Sequence, residues 1–256
     1  MKKLVLGLVT LSAMLFAQLA SAQVHMGLGV TVGTDGVGPE LGLSIGKSVI
    51  IRGGYAYMPG FSYAKEFDVD SDSPKIQGPV WVVGKLNMSS GKFLVDFYPG
   101  ESGFHITAGS YFASPDLILA TGAGDKALTQ PIPTAESNWG TTSVTGGSDE
   151  LGYVKAAIKD NGQIDASVRC NIARPYLGIG FGRLIKPESR VGFSFDLGAM
   201  YLGSLVVSGV DHRGERTSLP PSSALAENKD GGILDIVAKI PPVYPVLKFN
   251  VFVRLF

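Results

Sequence analysis

The residues of this chain that could support chemistry are three histidines, one cysteine and a short acidic run. His25, His105 and His212 are the only histidines, so a catalytic acid or base of this type has few candidates. His105 falls in a strand pattern beside Thr107, and we interpret it as a hydrogen-bonding residue inside the fold. No catalytic motif accompanies the three histidines, and we predict that the protein is not an enzyme.

The acidic run FDVDSDSP places Asp68, Asp70 and Asp72 at alternate positions, as a calcium-binding loop does. A calcium loop of this type also needs a glycine after the third acidic position and a later glutamate, and both are missing here. We interpret the run as a solvated loop, and we predict neither a metal site nor a cofactor.

Cys170 is the only cysteine of the chain. It therefore has no partner for an intramolecular disulfide. Because it stands in a strand pattern, we interpret it as a small packed side chain and not as a reactive thiol.

The first residues, MKKLVLGLVTLSAMLFAQLASAQ, combine Lys2 and Lys3 with an apolar run and the small-x-small sequence Ala20-Ser21-Ala22. This is the pattern of a secretory signal peptide. We predict that residues 1–22 are a cleaved signal peptide and that residues 23–256 form one exported domain. The alternative is an uncleaved anchor helix, but the apolar run is too short, since a membrane-spanning helix needs about 20 apolar residues.

The charges of the chain balance, with 22 Lys and Arg against 22 Asp and Glu. The chain as a whole therefore has no electrostatic field that would attract nucleic acid, and we predict no nucleic-acid partner.

Alternation of apolar and polar residues dominates the mature sequence, and glycine is spread through the alternating segments. The stretch RVGFSFDLGAMY, for example, has Val191, Phe193 and Phe195 on one face, and Ser194 and Asp196 on the other. A period of two indicates strands, so we predict an all-β chain. The predicted strands, an even number, lie at about 24–33, 37–46, 48–58, 80–98, 103–113, 166–182, 190–207 and 244–256.

The connections between these strands differ in length at the two ends of the predicted sheet. Short turns occur around Lys47, at 99–103 and at 185–190, whereas long polar loops occupy 59–79, 114–165 and 208–243. The tight GTDGVG hairpin falls on the long-loop side as an exception. This sorting is typical of transmembrane antiparallel β-barrels of up-and-down meander order.

Because no other apolar run could span a membrane as a helix, any membrane embedding must use these eight strands. We expect both termini on the periplasmic side and the long loops outside the cell.

Each predicted strand has one apolar face and one face of glycine with occasional charge. Exposed glycine would weaken a soluble sheet without benefit, whereas inward glycine in a narrow barrel makes room for long charged side chains. We therefore expect the apolar faces to meet lipid. The carboxylate of Asp196 would then point into the barrel and pair with a basic residue of another strand, because an unpaired buried charge is costly. The predicted lumen network consists of Glu40, Arg52, Lys92, Asp96, Arg174, Asp196, Lys248 and Arg254.

Two local features complete the strand assignment. The apolar positions of strand 80–98 change parity, which predicts a β-bulge at Ser89–Gly91. Aromatic residues near the predicted strand ends are either part of an interfacial girdle or ordinary strand aromatics. These aromatic residues are Tyr55, Tyr57, Trp81, Tyr111 and Tyr201.

The segments PYLGIGFG, RVGFSFDLGAMY and YPVLKFNVFVRLF resemble those of small eight-stranded bacterial outer-membrane β-barrel proteins, of the OmpA transmembrane type. The resemblance extends over the mature chain. It implies the outer membrane of a Gram-negative-type envelope, with membrane lipid and the barrel-assembly machinery as partners. Phe256 is similar to the terminal residue by which such barrels are recognised for assembly, while Arg254 stands where an apolar or aromatic residue is usual.

Three functions remain open from the sequence. The first is a structural or surface-interaction barrel whose long loops provide the binding surface for an extracellular ligand, since loops on rigid scaffolds carry function. The second is a small-solute channel. A lipid-modifying outer-membrane enzyme is the third and least favoured.

Overall fold

The computed structural model describes residues 24–69, 78–122, 143–148, 152–157, 166–186, 188–211, 213–219 and 241–256. Several predictions made from the sequence fall outside these ranges. They are the signal peptide at 1–22, His212, and the acidic residues Asp70 and Asp72. Among the described residues, no helix has the length and apolar character needed to cross a membrane.

The described residues form strands numbered β1 to β16 in chain order, of which eight close into an antiparallel barrel. The barrel strands are β1 Val24–Gly33, β2 Gly36–Ile45, β3 Val49–Ala56, β6 Ser90–Phe97, β7 Phe104–Ala113, β12 Ala173–Arg183, β13 Val191–Tyr201 and β16 Val243–Arg254. Each strand pairs with the next barrel strand along the chain, and β16 pairs with β1, with Val30 opposite Val251. The predicted eight-stranded meander barrel is confirmed.

The remaining strands lie beyond one end of the barrel. Six of them form a second antiparallel sheet, in the order β15-β14-β11-β8-β5-β4, which we call the crown sheet. Its strands are β4 Ser62–Val69, β5 Gly78–Leu86, β8 Asp116–Gly122, β11 Ala166–Arg169, β14 Val206–Val210 and β15 Arg216–Ser218. A separate hairpin pairs β9 Ser143–Ser148 with β10 Gly152–Ala157.

Three of the predicted strands are wrong as single strands, because each divides between the barrel and the crown sheet. The breaks lie at residues 87–89, 170–172 and 202–205, where the chain leaves one sheet and enters the other. Backbone N–H and C=O groups at these breaks form hydrogen bonds with residues of other breaks or of strands. For example, the Asn171 N–H donates to the Leu202 carbonyl at 2.9 Å. The parity change near Ser89 therefore marks the junction of β5 and β6 and not a bulge.

The opposite end of the barrel carries only short connections between strands. They are residues 46–48, 98–103 and 184–190, and the positive φ angles of Gly46 (62°) and Gly100 (64°) allow two of them to turn tightly. The beginning of β1 and the end of β16 lie at this end too, since Gly27 pairs with Arg254. The β1–β2 hairpin, with Gly36 at a φ of 119°, is the one tight turn that we find among the described connections at the crown end.

The barrel is apolar outside and polar inside. Along β12, for example, Leu177 is 63% exposed whereas its neighbour Tyr176 is 3% exposed. Large apolar or aromatic side chains are exposed on every barrel strand, with Tyr55 as the exposed one on β3. They include Leu28, Val30, Leu41, Phe93, Phe97, Ile106, Phe112, Leu177, Ile179, Phe181, Phe193, Phe195, Leu197, Leu247, Phe249 and Val253. A water-soluble barrel would bury this surface.

The interior is layered along the barrel axis, as the inward residues of β16 show. From the short-turn end they are Phe252, Asn250, Lys248 and Val246, all buried. Phe252 packs with Ile50, Tyr98, Leu184 and Ile185 in an apolar cluster at the short-turn end. Val246 belongs to a larger apolar cluster below the crown sheet, with Leu94, Tyr111, Tyr176, Met200 and other buried side chains. The polar residues lie between these two clusters.

Candidate functional site

Arg52 is the centre of a buried ion-pair network in the lumen. Its Nη2 lies 2.8 Å from Asp96 Oδ1 and 3.0 Å from Asp196 Oδ2, and its Nη1 lies 3.4 Å from Glu40 Oε2. The three carboxylates stand on β6, β13 and β2, while Arg52 stands on β3. One guanidinium thus connects four strands, which the planar five-donor geometry of arginine makes possible.

Two lysines extend the network toward the crown end. The Lys92 ammonium pairs with Glu40 and lies 3.5 Å from Asp35 Oδ2. The Lys248 ammonium lies 3.7 Å from Asp196 Oδ2. Lys248 also stands over the Tyr176 ring, 4.6 Å from its centroid, so it is held by a carboxylate and an aromatic face together.

Asp196 has the largest set of partners among the described acids of the lumen. Besides the two cations, its carboxylate accepts hydrogen bonds from Asn250 Nδ2 at 3.0 Å and Ser194 Oγ at 3.2 Å. His105 Nε2 lies 3.0 Å from Asp196 Oδ1. These contacts replace the water that a buried carboxylate loses, and they explain how an acid fits into an apolar strand.

Inward glycines provide the space for these side chains. A Cβ atom on Gly180 would lie 2.7 Å from Asp196 Oδ1 and 2.5 Å from His105 Cε1. On Gly198 a Cβ would overlap the Tyr176 ring. Glycine on the inner face therefore allows the large polar groups of neighbouring strands to cross the narrow lumen, as expected from the sequence.

The lumen is filled and closed in the part of the chain that the structure describes. Arg52, Asp96, Asp196 and Lys248 are each at most 1% exposed. The apolar clusters at both ends separate this charged layer from solvent. The ion pairs of such a layer are strong in a low dielectric, and moving one partner leaves the other charge unpaired.

Comparison with known proteins places the geometry beside two solved structures. No family model matches the chain, and no curated protein matches it. The crystal structure of Acinetobacter baumannii CarO2 is similar at 17% identity and a TM-score of 0.44, over 91% of this chain and 99% of that one. Acinetobacter baumannii CarO is similar at 18% identity and a TM-score of 0.42, over 89% of this chain and 96% of that one.

This chain is an inside-out, closed eight-stranded barrel. That conclusion follows from the strand order and the exposed surface of the chain itself. The two comparisons do not contribute to it, because identities and TM-scores at those levels carry no information about activity. The fold agrees with the one that the resemblance of its strands to small eight-stranded barrels implied.

Of the eight residues predicted for the lumen network, the structure brings six together. They are Glu40, Arg52, Lys92, Asp96, Asp196 and Lys248. Arg174 is buried, but its guanidinium donates to the carbonyl oxygens of Asn171 and Ser114 beside the crown sheet. Arg254 lies at the short-turn rim, where it donates to the Lys186 carbonyl at 3.1 Å. Both stand at the inward parity of their strands but at the wrong height along the barrel to reach the network.

Several members of the network were not predicted from the sequence. Asp35, in the β1–β2 hairpin, accepts from Tyr111 Oη at 3.0 Å, and Thr31 bonds to Glu40 and Asn250 at 2.7 and 2.8 Å. Thr31 and Asn250 share inward parity with their strands, so extending the parity argument from charged to neutral polar residues would have identified them. Asp35 could not have been identified in this way, because a turn residue has no parity.

The proposed aromatic girdle is partly wrong. Tyr55, Tyr57 and Tyr201 are exposed on the outer surface near the crown end. Tyr111 is fully buried instead, with its ring 5.5 Å from Tyr176 and its hydroxyl 3.1 Å from the Lys248 ammonium. It has the same inward parity as His105, and it closes the lumen network on the crown side. The side chain of Trp81 lies outside the described part of the chain.

Cys170 and the described metal-ligating residue types were also considered for chemistry. Cys170 is buried at the break between β11 and β12, its thiol donates to the Asn171 carbonyl at 3.7 Å, and burial raises the pKa of the thiol. Within the described ranges, no cluster of three His, Cys, Asp or Glu side chains is arranged to hold a metal ion.

Proposed function

We propose that this protein is an outer-membrane β-barrel with a closed lumen and a structural or surface-interaction role. The observation that carries the proposal is the combination of an apolar outer surface with a fully buried charge network. Lipid is the solvent that makes such an arrangement stable. Barrel strands of 8 to 12 residues also suit the hydrocarbon thickness, since tilted membrane strands need about 9 to 11 residues.

The role at the cell surface would belong to the residues beyond the barrel. The crown sheet and the β9–β10 hairpin form a large addition on the end of the barrel where β1 ends and β16 begins. With the short-turn end in the periplasm, this addition faces outward and offers the surface on which an extracellular ligand would bind. Under the same proposal residues 1–22 are removed on export, and membrane lipid and the barrel-assembly machinery are its partners. Phe256, 66% exposed after β16, is accessible to that machinery.

The channel and enzyme alternatives receive less support from the site. A channel needs a continuous polar path, whereas here apolar clusters close the charged layer on both sides. The His105–Asp196 pair resembles part of a catalytic site, but it is buried inside the lumen, where no substrate reaches it. We therefore propose that the protein is not an enzyme and conducts solutes poorly.

Cell fractionation with a gel assay tests the proposal. After expression in a Gram-negative host, we expect the protein in the outer-membrane fraction, with the unboiled and boiled forms migrating differently because a closed barrel resists detergent. Protease added to intact cells should cut within residues 114–165 or 208–243. Recovery as a soluble periplasmic protein would disprove the membrane location, and cleavage confined to 99–103 and 185–190 would reverse the orientation.

A further inference from the structure

Three of the basic residues at the short-turn end lie together and come from two separate parts of the chain. Lys186 and Arg190 belong to the turn between β12 and β13, and Arg254 is the last residue of β16. Lys186 and Arg190 are exposed, and Arg254 is half-buried. We call these three residues the basic rim. The lumen network and the crown sheet do not include them.

Hydrogen bonds hold the basic rim in one arrangement. The Arg254 N–H donates to the Arg190 carbonyl at 2.8 Å, and Arg254 Nη1 donates to the Lys186 carbonyl at 3.1 Å. Within the turn, the Ser189 hydroxyl donates to the Val191 carbonyl at 2.8 Å. The turn is thus fixed to the last strand, and less ordering is needed when Lys186 and Arg190 bind a ligand.

The basic rim adjoins the apolar outer surface directly. Val191 and Val253 pair across β13 and β16 and are 41% and 48% exposed. Each valine is adjacent in sequence to a cation of the basic rim: Val191 follows Arg190, and Val253 precedes Arg254. The cations therefore adjoin the lipid-facing surface near the short-turn end of the barrel, where side chains can reach the level of lipid phosphates. Glu188, exposed in the same turn, is the opposing charge.

We propose that the basic rim binds the phosphate headgroup of an anionic phospholipid in the leaflet around the short-turn end. This inference rests on the proposed membrane location and goes beyond it by naming a lipid class and a site. Lys186 and Arg190 would donate charge-assisted hydrogen bonds to the phosphate oxygens, and Arg254 positions the turn that carries them. The acyl chains of the same lipid would lie along Val191 and Val253.

Lipid selectivity in vesicles tests the site. The mature protein is reconstituted in phosphatidylcholine vesicles with a minor fraction of phosphatidylglycerol, and spin-labelled lipids report which headgroup is immobilised at the barrel. The double variant Lys186→Gln with Arg190→Gln keeps both backbone acceptors of Arg254, so the turn should stay folded. Each cation near an anionic surface contributes roughly fivefold in binding, so preference for phosphatidylglycerol should fall at least roughly fivefold in the double variant.

A matched control removes the same charge far from the membrane. Lys155 and Arg213 are exposed beyond the crown end of the barrel, and Lys155→Gln with Arg213→Gln should leave the lipid preference unchanged. Glu188→Gln should raise the preference, because it removes the opposing charge. Equal preference in the wild type and the Lys186/Arg190 variant, or an equal loss in the control, would overturn the proposed site. Failure of the wild type to float with the vesicles would overturn the membrane location together with it.

Discussion

Arg52 and Asp196 are 144 residues apart in the chain, yet the Nη2 of one lies 3.0 Å from the Oδ2 of the other in the middle of the lumen. They stand on β3 and β13, which are not neighbours in the sheet, so this ion pair crosses the interior of the barrel. Ion pairs across the lumen therefore connect strands that are not joined by backbone hydrogen bonds in the barrel wall.

Removing the Asp196 carboxylate should destabilise the barrel strongly. In Asp196→Ala, Arg52 and Lys248 lose a buried partner, and we expect the free energy of unfolding to fall by about 3 kcal/mol or more. Urea titration of the folded and unfolded gel species measures the change. Asp116→Ala is the control, since the Asp116–Arg169 pair is about one-third exposed and such pairs contribute under about 1 kcal/mol. Similar losses in both variants would show that the lumen pair is not buried from solvent.

Adding a methyl group to an inward glycine should also be destabilising. Gly180→Ala places a Cβ against His105 and Asp196, and overpacking of this kind costs about 1 to 3 kcal/mol. Gly53 faces outward, and a Cβ there would meet only the Lys92 carbonyl at 3.9 Å. Gly53→Ala should therefore stay within about 0.5 kcal/mol of the wild type in the same urea assay. A neutral Gly180→Ala would mean that the lumen has more free space than the structure shows.

An outward arginine distinguishes lipid from water as the surrounding solvent. Leu197 is 51% exposed on β13, so Leu197→Arg would be harmless in a soluble barrel. In a membrane, arginine on the lipid face costs about 2 to 4 kcal/mol near the midplane, and folding into vesicles should decline accordingly. Phe61 is exposed outside the barrel strands, and Phe61→Arg should fold like the wild type. Normal folding of both variants would contradict the lipid-facing assignment.

The closed interior should limit conductance. In planar bilayers we expect at most small, intermittent current from the wild type, because eight strands leave room only for side chains and those present are paired. Asp196→Ala should increase the current, since Arg52 and Lys248 lose a partner that holds them across the lumen. A steady, large and voltage-insensitive current from the wild-type protein would establish an open channel.

Much of the barrel could be predicted because strands have a period of two. Once Phe193 and Phe195 are assigned to one face of β13, Asp196 must lie on the other, and the same argument assigns Arg52, Lys92 and Lys248 to the interior. Parity gives the face of a residue but not its height along the barrel. Arg174 and Arg254 were therefore assigned to the network although they lie near its two ends.

The division between barrel and crown sheet was less accessible from sequence. Strand 80–98 has strand propensity throughout, and its parity change at Ser89–Gly91 indicates an irregularity there without showing that β5 and β6 belong to different sheets. That division depends on which partner strands are available, as when the Asn87 N–H donates to the Leu117 carbonyl at 2.8 Å. Contacts between residues so far apart in the chain follow from the closed fold and not from local preference.

The contacts across the β1–β16 seam bear on the order of events when the barrel folds. Thr31 on β1 bonds to Asn250 on β16, 219 residues later, and Asn250 bonds in turn to Asp196. Before the seam joins, the polar face of an open sheet would be turned toward acyl chains, where each unpaired charge is unfavourable by several kcal/mol. Partly closed sheets are therefore not expected to be stable folding intermediates. Insertion, neutralisation of the charges and joining of the first and last strands should occur as one concerted step.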